Sequence, residues 1–311
     1  MHDPQTISRI AIIGFGEAGG IFGNDLARQG IEVSIFDILL ASGKHRQEML
    51  AKARSCGVRA QDNLRDCLSN ANLVISAVTA SSALDVAREA GPMLSRDQTF
   101  LDINSVSPET KRKASVYIES KHANGPARFV EAAVMAGVPG KRLKVPMLLG
   151  GTHAAAASGL LQSLGMNATA LSDQIGVASA VKMCRSVLVK GLEALTVECL
   201  FAARQYGAED AVLESLDATY PGMGWKDRLP DYLISRVAEH GRRRAGELRE
   251  VAQTLQGVAV DPTMTLAAAH RQEQLVNEIV ESNIHLQFSD RFSWHQLADK
   301  LVPGRRNRLA E

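Results

Sequence analysis

The sequence lacks the residue patterns that identify metal-binding and membrane-spanning proteins. It has four cysteines, Cys56, Cys67, Cys184 and Cys199, and no CxxC or Cys/His spacing that would hold zinc. The eight histidines form no HxH or HExxH pair, so we predict no metal site. No apolar run approaches the ~20 residues that cross a bilayer. With no leader-like segment before residue 9 and thiols expected to be reduced, we predict a cytoplasmic protein.

The chain also lacks an excess of either charge. Its 35 Lys and Arg residues against 34 Asp and Glu residues give a formal net charge of +1. No overall field therefore attracts nucleic acid or an anionic membrane, and we predict neither as a partner. The short basic runs at 242–244 and 305–308 are typical of solvated faces and chain ends.

Length and composition indicate a folded protein with two domains. Single hydrophobic cores stop growing at roughly 250 to 300 residues, and this chain has 311. Hydrophobic residues make up 45% and charged residues 22%, the balance of a globular protein.

In the first half of the chain, short β-branched runs alternate with segments of helical periodicity. Strands are predicted at about 9–14, 31–36, 73–78, 99–102, 129–134 and 145–149, with helices at 17–29, 44–55, 63–69, 82–90 and 108–121. This alternation predicts an α/β, doubly wound Rossmann domain over residues 1–172.

In the second half, only helical patterns follow. We predict an all-α domain over residues 173–311, with helices at 174–206, 208–218, 227–239, 243–255 and 263–287. The helix at 174–206 is apolar on most sides, so we expect it to be central and buried.

A glycine-rich turn follows the first predicted strand and opens a helix. It reads Gly14-Phe15-Gly16-Glu17-Ala18-Gly19. Gly14 permits a tight turn, Gly16 lets a pyrophosphate approach the backbone, and Gly19 lets the helix pack on the strand. The amides at the helix start would then bind the phosphates, with the Glu17 side chain in solvent. The alternative is a glycine-rich turn that binds nothing.

Asp37 ends the second predicted strand, where an acidic side chain accepts hydrogen bonds from the ribose hydroxyls of a dinucleotide. It would repel a 2′-phosphate, so we predict NAD as the cofactor. Lys44, His45 and Arg46 follow closely enough to leave NADP open. Asp37 could also be an ordinary residue at a strand end.

The carboxyl ends of later strands are expected to border the reactive half of the cofactor. Val78 and Thr79 end one strand, and Asn104 and Ser105 follow another.

Lys182 lies near the start of the long predicted helix, after a run of small residues. Burial would lower the pKa of such a lysine and allow proton exchange near neutral pH. Ser186 and Glu193 fall on nearly the same helix face. From spacing alone, the favoured interpretation is that Lys182 extends to solvent or pairs with an acid.

The chain resembles the β-hydroxyacid dehydrogenase family, which includes 3-hydroxyisobutyrate and 6-phosphogluconate dehydrogenases. The resemblance covers nearly the whole length and is closest to a phosphogluconate-dehydrogenase-like branch. It is carried by the glycine-rich turn at 14–19 and by the stretches 102–108, 131–137 and 176–182, in the family's order and spacing. The stretches 182–186 and 190–195 indicate the branch.

The resemblance implies hydride transfer between a nicotinamide cofactor and a small polar substrate, expected to be an anionic β-hydroxy acid or a related alcohol. Lys182 would be the general acid/base. Asn104, Ser105, Gly137 and Ser186 would orient the substrate. The resemblance also implies a homodimer formed through the α-domain.

Two departures from the family affect the expected substrate. Met135-Ala136-Gly137 stands where the family has a Ser-Gly-Gly that binds the substrate carboxylate, and Met135 has no hydroxyl. Ser186 replaces an asparagine, and Arg185 beside it could bind a carboxylate or pair with an acid.

Arg305, Arg306 or His295 could serve an anionic ligand. The sequence leaves open an imine or ketone reductase and a protein that binds NAD without turnover.

Overall fold

The computed structural model describes residues 8–41, 43–120, 125–286, 288 and 292–301. The chain divides into two compact units, Met1–Met183 and Cys184–Glu311. This division falls inside the long helix, later than the boundary after residue 172 that the sequence suggested.

The first unit is built on an eight-stranded sheet. The strands are β1 (Arg9–Ile13), β2 (Glu32–Phe36), β3 (Arg59–Ala60), β4 (Leu73–Ser76), β5 (Thr99–Asp102), β6 (Arg128–Val134), β7 (Met147–Gly150) and β8 (Ala168–Ser172). Their order is β3-β2-β1-β4-β5-β6-β7-β8, and only the β6–β7 pair is antiparallel. Strands β2 and β3 lie on one side of β1, and β4 and the later strands lie on its other side. This change of side is the switch point at which such sheets bind ligands, and it confirms the predicted doubly wound Rossmann fold.

Helices cover both faces of this sheet. They are α1 (Glu17–Arg28), α2 (Gly43–Ser55), α3 (Leu64–Leu68), α4 (Ala83–Ala90), α5 (Pro108–Ile118) and α6 (Ala154–Ser163). Two clusters of buried apolar side chains form the core of this unit. One includes Phe15, Phe22 and Leu26, and the other includes Phe100 and Phe129. Burial on both faces explains why the central strands are continuous apolar runs.

Among its described residues, the second unit contains helices joined by turns and loops, and no strand. Helix α7 (Val177–Tyr206) enters it from the first unit, and α8 (Glu209–Thr219), α9 (Leu229–Gln256), α10 (Thr263–Glu281) and α11 (Trp294–Leu301) follow. Trp225, Ile234, Leu275 and Trp294 are among the residues of its core. The predicted all-α character is confirmed.

Two predictions about helices need correction, and four elements were not predicted. The helices predicted at 227–239 and 243–255 are one helix, α9, because Gly241 does not interrupt it but lets α10 approach closely. The helix predicted to reach residue 287 ends at Glu281, and Asn283 then has a positive φ of 51°. Strands β3 and β8 and helices α6 and α11 were not predicted. Strand β8 has three exposed residues, so it has no buried apolar run.

Helix α7 is not buried on all sides, contrary to expectation. Val181, Leu188 and Leu195 are 40%, 78% and 51% exposed, and Cys184 and Cys199 are also exposed. These five residues, the α7 stripe, recur at spacings of three, four and seven and so share one helix face. Within the described residues, no helix is both long enough and apolar enough to span a membrane.

Candidate active site

Three glycines shape the turn between β1 and α1. Gly14 has a φ of +88°, and a Cβ at this position would overlap the carbonyl oxygen of Ala77. A Cβ at Gly19 would overlap the carbonyl oxygen of Gly14. At Gly16, no heavy atom of the described chain lies within 4 Å of the place a Cβ would take. Packing of the chain therefore requires the first and last glycines, whereas Gly16 keeps open space beside the helix start.

The backbone at this open space can bind an anion. Among the described residues, the amides of Gly16, Glu17 and Ala18 donate to no protein acceptor. They lie at the positive end of α1, where unpaired amides bind phosphate. The Glu17 side chain is exposed, as expected. These residues fit a dinucleotide diphosphate.

Asp37 connects the end of β2 to the glycine-rich turn. Its Oδ2 accepts a hydrogen bond from the amide of Phe15 at 2.7 Å, and its Oδ1 accepts one from the amide of Leu39 at 2.9 Å. A carboxylate can accept about four hydrogen bonds, so acceptor capacity remains for ribose hydroxyls. Asp37 therefore also has a structural function, which its position at the strand end did not reveal.

Two of the three basic residues downstream of Asp37 contact neighbouring groups of the protein. Arg46 donates to the carbonyl oxygen of Leu40 at 2.7 Å and pairs with Asp62 at 2.6 Å. His45 lies 3.5 Å from Glu48. Lys44 is exposed.

Lys52 also contacts the glycine-rich turn, a contact that no sequence pattern indicates. Its ammonium donates to the carbonyl oxygens of Phe15 and Gly16 at 2.6 and 2.7 Å. These residues are more than thirty-five positions apart in the sequence, so no local pattern connects them.

Asn104 joins the carboxyl ends of β4 and β5. Its Oδ1 accepts from the amide of Val78 at 2.7 Å, and its Nδ2 donates to Ser76 Oγ at 2.9 Å. The side chain is buried, and among the described residues its Nδ2 donates one hydrogen bond, which leaves one amide hydrogen. Thr79, just beyond Val78, is exposed. The structure thus brings these predicted residues to one edge of the sheet.

A buried ion pair supports the same strand end. Lys111 of α5 lies 2.9 Å from Asp102 Oδ1, and both side chains are 1% exposed. The lysine also donates to the carbonyl oxygen of Asp102 at 2.7 Å, and Oδ1 accepts from the amide of Asn104 at 2.9 Å. Both charges are paired and hydrogen-bonded, as burial requires. This network holds the backbone that leads into Ser105.

Lys182 reaches this edge of the sheet. Its Nζ donates to Ser105 Oγ at 2.6 Å, although the two residues are 77 positions apart. Both side chains are half-buried. Two residues singled out separately in the sequence are therefore in direct contact.

Glu131 of β6 caps the start of the helix that carries Lys182. Its Oε1 accepts from the amides of Gly176 and Ala178 at 2.7 and 3.1 Å, and its Oε2 accepts from Ser179 Oγ at 2.8 Å. The side chain is fully buried. A carboxylate at a helix N-terminus is favourable because of the helix dipole. The sequence motif included Glu131 but suggested no role for it.

Met135, Ala136 and Gly137 follow β6, at the same edge as Asn104 because β5 and β6 are parallel. The amide of Met135 donates to the carbonyl oxygen of Pro146 at 2.9 Å. Ala136 and Gly137 are exposed, and a Cβ at Gly137 would meet no described atom within 4 Å. The backbone here is open to a small ligand.

The remaining predicted residues belong to the second unit. Arg185 is exposed and Ser186 is buried. Glu193 is 1% exposed and forms a two-point ion pair with Arg244, including a contact of 2.9 Å. It is therefore a structural residue of this unit, although the sequence suggested a polar stripe.

His295 stacks on Trp294 with ring centroids 3.9 Å apart. Arg305 and Arg306 lie outside the described residues.

In this second unit, burial and ion pairing shift the pKa of a charged side chain in opposite directions. Burial raises the pKa of Glu193, while Arg244 acts to lower it. Burial lowers the pKa of Lys190, while Glu247, 2.7 Å away, acts to raise it. We interpret these ion pairs as parts of the helix packing.

Comparison with known proteins agrees with this geometry. Residues 9–172 match the family described as the NAD binding domain of 6-phosphogluconate dehydrogenase, and residues 203–275 match a domain of unknown function, DUF1932. An uncharacterised 28.5 kDa protein of Methanothermus fervidus is 30% identical over 257 residues, which is 82% of this chain and 94% of that protein.

Two further relatives extend the comparison. The 3-hydroxyisobutyrate dehydrogenase of Pseudomonas aeruginosa is 27% identical over 228 residues, which is 70% of this chain and 71% of that protein. The crystal structure of a conserved hypothetical protein from Sinorhizobium meliloti 1021 is 34% identical, with a TM-score of 0.77 and coverage of 96% of this chain and 97% of that chain.

Proposed function

The chain belongs to the family of the NAD binding domain of 6-phosphogluconate dehydrogenase, and from this premise we propose that it is an NAD-dependent oxidoreductase acting on a β-hydroxy acid or a related polar alcohol. Its substrate is a small polar molecule that carries an oxidisable hydroxyl group. When bound, a nicotinamide cofactor would supply the hydride transfer to and from the substrate carbon.

Lys182 is the proposed general acid/base. In oxidation its amine takes the proton from the substrate hydroxyl as the carbonyl forms, and in reduction its ammonium returns that proton to the carbonyl oxygen. The observation that supports this role is the 2.6 Å contact between Lys182 Nζ and Ser105 Oγ at the carboxyl edge of the sheet. Ligands of doubly wound sheets bind at this edge.

Three groups around Lys182 define the rest of the proposed site. Ser105 orients the amine, and Asn104 keeps β4 and β5 in register beside the dinucleotide. The exposed backbone at Ala136 and Gly137 leaves room for the polar end of the substrate. Arg185 and Ser186 lie in the second unit and are not needed for this proposal.

Substitution of Lys182 by alanine tests the assignment. We expect kcat on the best hydroxy-acid substrate to fall by roughly 10²- to 10⁴-fold, the usual contribution of a general acid/base, while the Kd for NADH stays unchanged. Lys113→Ala is the matched control, because Lys113 is exposed on α5. Normal turnover by Lys182→Ala would disprove the role of Lys182.

A substrate screen separates the proposed activity from its rivals. Wild-type protein is assayed with NAD⁺ or NADP⁺ against β-hydroxy acids and polyols, and with the reduced cofactors against ketones and imines. Oxidation of a hydroxy acid supports the proposal. Activity restricted to imines would identify a reductase, and tight NADH binding without any turnover would indicate a non-catalytic binding protein.

A further inference from the structure

A lysine from outside the glycine-rich turn holds that turn in place. The ammonium of Lys52, on α2, donates to the carbonyl oxygens of Phe15 and Gly16 at 2.6 and 2.7 Å. It also lies 4.8 Å from the centroid of the Phe15 ring, within the range of a cation–π interaction. The Phe15 side chain is fully buried, so the ring is a fixed support for the charge.

These contacts determine where two backbone amides point. A peptide unit is planar and trans, so its C=O and N–H groups point in opposite directions. The carbonyl of Phe15 shares a peptide unit with the amide of Gly16, and the carbonyl of Gly16 shares one with the amide of Glu17. By holding the Phe15 carbonyl, Lys52 directs the amide of Gly16 away from itself. It does the same for the amide of Glu17 together with the amide of Gly20, which also donates to the Gly16 carbonyl, at 3.2 Å. The amides of Gly16 and Glu17 both belong to the amides that donate to no described protein acceptor.

The charge of Lys52 also matters at this position. The start of a helix carries about half a positive charge, which favours an anion. Glu17 places an exposed carboxylate in the first turn of α1 and opposes that effect. The ammonium of Lys52 restores a positive balance beside the turn.

Gly20 leaves the room that Lys52 occupies. A Cβ at Gly20 would lie 3.0 Å from both Cε and Nζ of Lys52, closer than ordinary van der Waals contact. An alanine at position 20 would therefore push the end of the lysine away from the two carbonyls.

We propose that Lys52 is a positioning residue of the dinucleotide site, which orients the diphosphate-binding amides and supplies positive charge next to them. This inference rests on the cofactor-binding part of the proposed function and is independent of the role of Lys182. The chemical group recognised is the diphosphate shared by NAD, NADH and ADP-ribose.

Calorimetric titration with NADH and ADP-ribose tests the proposal. For Lys52→Met we expect the Kd for both to rise roughly tenfold, the scale of a lost charge-assisted contact, and to depend less on salt. Arg54→Met removes a positive charge from an exposed residue of the same helix and should bind both ligands like the wild type. Equal affinity of Lys52→Met and wild type would overturn the proposal. Failure of the wild type to bind either ligand would instead overturn the proposed function.

A double-mutant cycle that combines Gly20→Ala with Lys52→Met gives a second test. Gly20→Ala should weaken ADP-ribose binding in the wild-type background, because it displaces Lys52, and should have little further effect in Lys52→Met. An equal loss of affinity in both backgrounds would show that position 20 acts without Lys52, and the positioning role would be rejected.

Discussion

At the scale of single residues, the buried carboxylate of Glu131 connects the sheet to the helix that carries Lys182. Its two oxygens accept three hydrogen bonds from the first residues of that helix and its lead-in. The Glu131 side chain also requires a glycine at position 150, because a Cβ there would overlap Glu131 Oε1. Glu131 therefore determines where α7 begins and, through it, where the ammonium of Lys182 lies.

Replacement of Glu131 by glutamine tests this coupling. The amide keeps the size of the side chain but loses the charge that favours the helix N-terminus. We expect the free energy of unfolding, measured by urea denaturation, to fall by about 1–3 kcal/mol. We also expect kcat to fall while the Kd for NADH is kept.

Two further variants make the Glu131 test specific. Glu214→Gln, an exposed position in the middle of α8, is the control and should change neither quantity. A loss of stability with unchanged kcat would show that Glu131 supports the fold but does not position Lys182. Recovery of kcat in Glu131→Asp would favour the charge over the exact length of the side chain.

The candidate site could be predicted from the sequence only where its residues follow a local pattern. Gly14, Gly16 and Gly19 lie in one turn, and their spacing predicted that turn between a strand and a helix. Lys52 and Glu131 act on residues 36 to 48 positions away, through hydrogen bonds that no spacing reveals. To predict contacts between residues so far apart, one must know the order of the strands in the sheet. The alternation of strands and helices along the sequence does not provide that order.

At the scale of elements, the contact between α9 and α10 explains why two predicted helices form one. Residues 240–242 lie between the two helices predicted at 227–239 and 243–255. In the structure, a Cβ at Gly241 would overlap the carbonyl oxygen of Gln272 and lie 2.7 Å from Val276 Cγ2. The glycine is required for close helix packing, and the helix continues through it.

Two glycines of α9 give a matched pair of predictions. Gly241→Ala should lower the free energy of unfolding by about 1–3 kcal/mol, because the added methyl group overpacks the contact with α10. Gly246 is exposed, and no described atom lies within 4 Å of the place its Cβ would take. Gly246→Ala should therefore raise stability by about 0.5–1 kcal/mol through helix propensity. Urea denaturation checks both, and equal effects at the two positions would contradict this account of the packing.

The elements that were not predicted lack the apolar patterns by which strands and helices are recognised in a sequence. Strand β3 has two residues, and β8 has only one buried residue, so neither shows an apolar run. Helix α6 begins with four alanines, which give no amphipathic pattern. The central strands were predicted because burial on both faces demands continuous β-branched residues.

At the scale of the whole molecule, the α7 stripe is an apolar surface of the single chain that remains to be explained. It spans residues 181 to 199, a helix length of ~27 Å. Leu188 is 78% exposed in its middle. Soluble monomers rarely expose such a contiguous apolar row, and larger exposed patches mark interaction sites. The family resemblance implies a dimer formed through the α-domain, so we propose that the stripe packs against a second copy of this chain.

Substitution of Leu188 by glutamate tests the dimer. Sedimentation velocity should give a dimer for the wild type and a monomer for Leu188→Glu, because a carboxylate placed in an apolar interface loses its hydration without gaining a partner. Val116→Glu is the control, since Val116 is 65% exposed on α5, outside the stripe, and should leave the dimer intact. A monomeric wild type would exclude the dimer. A dimeric Leu188→Glu would exclude the stripe as its interface and require another surface to hold the two copies together.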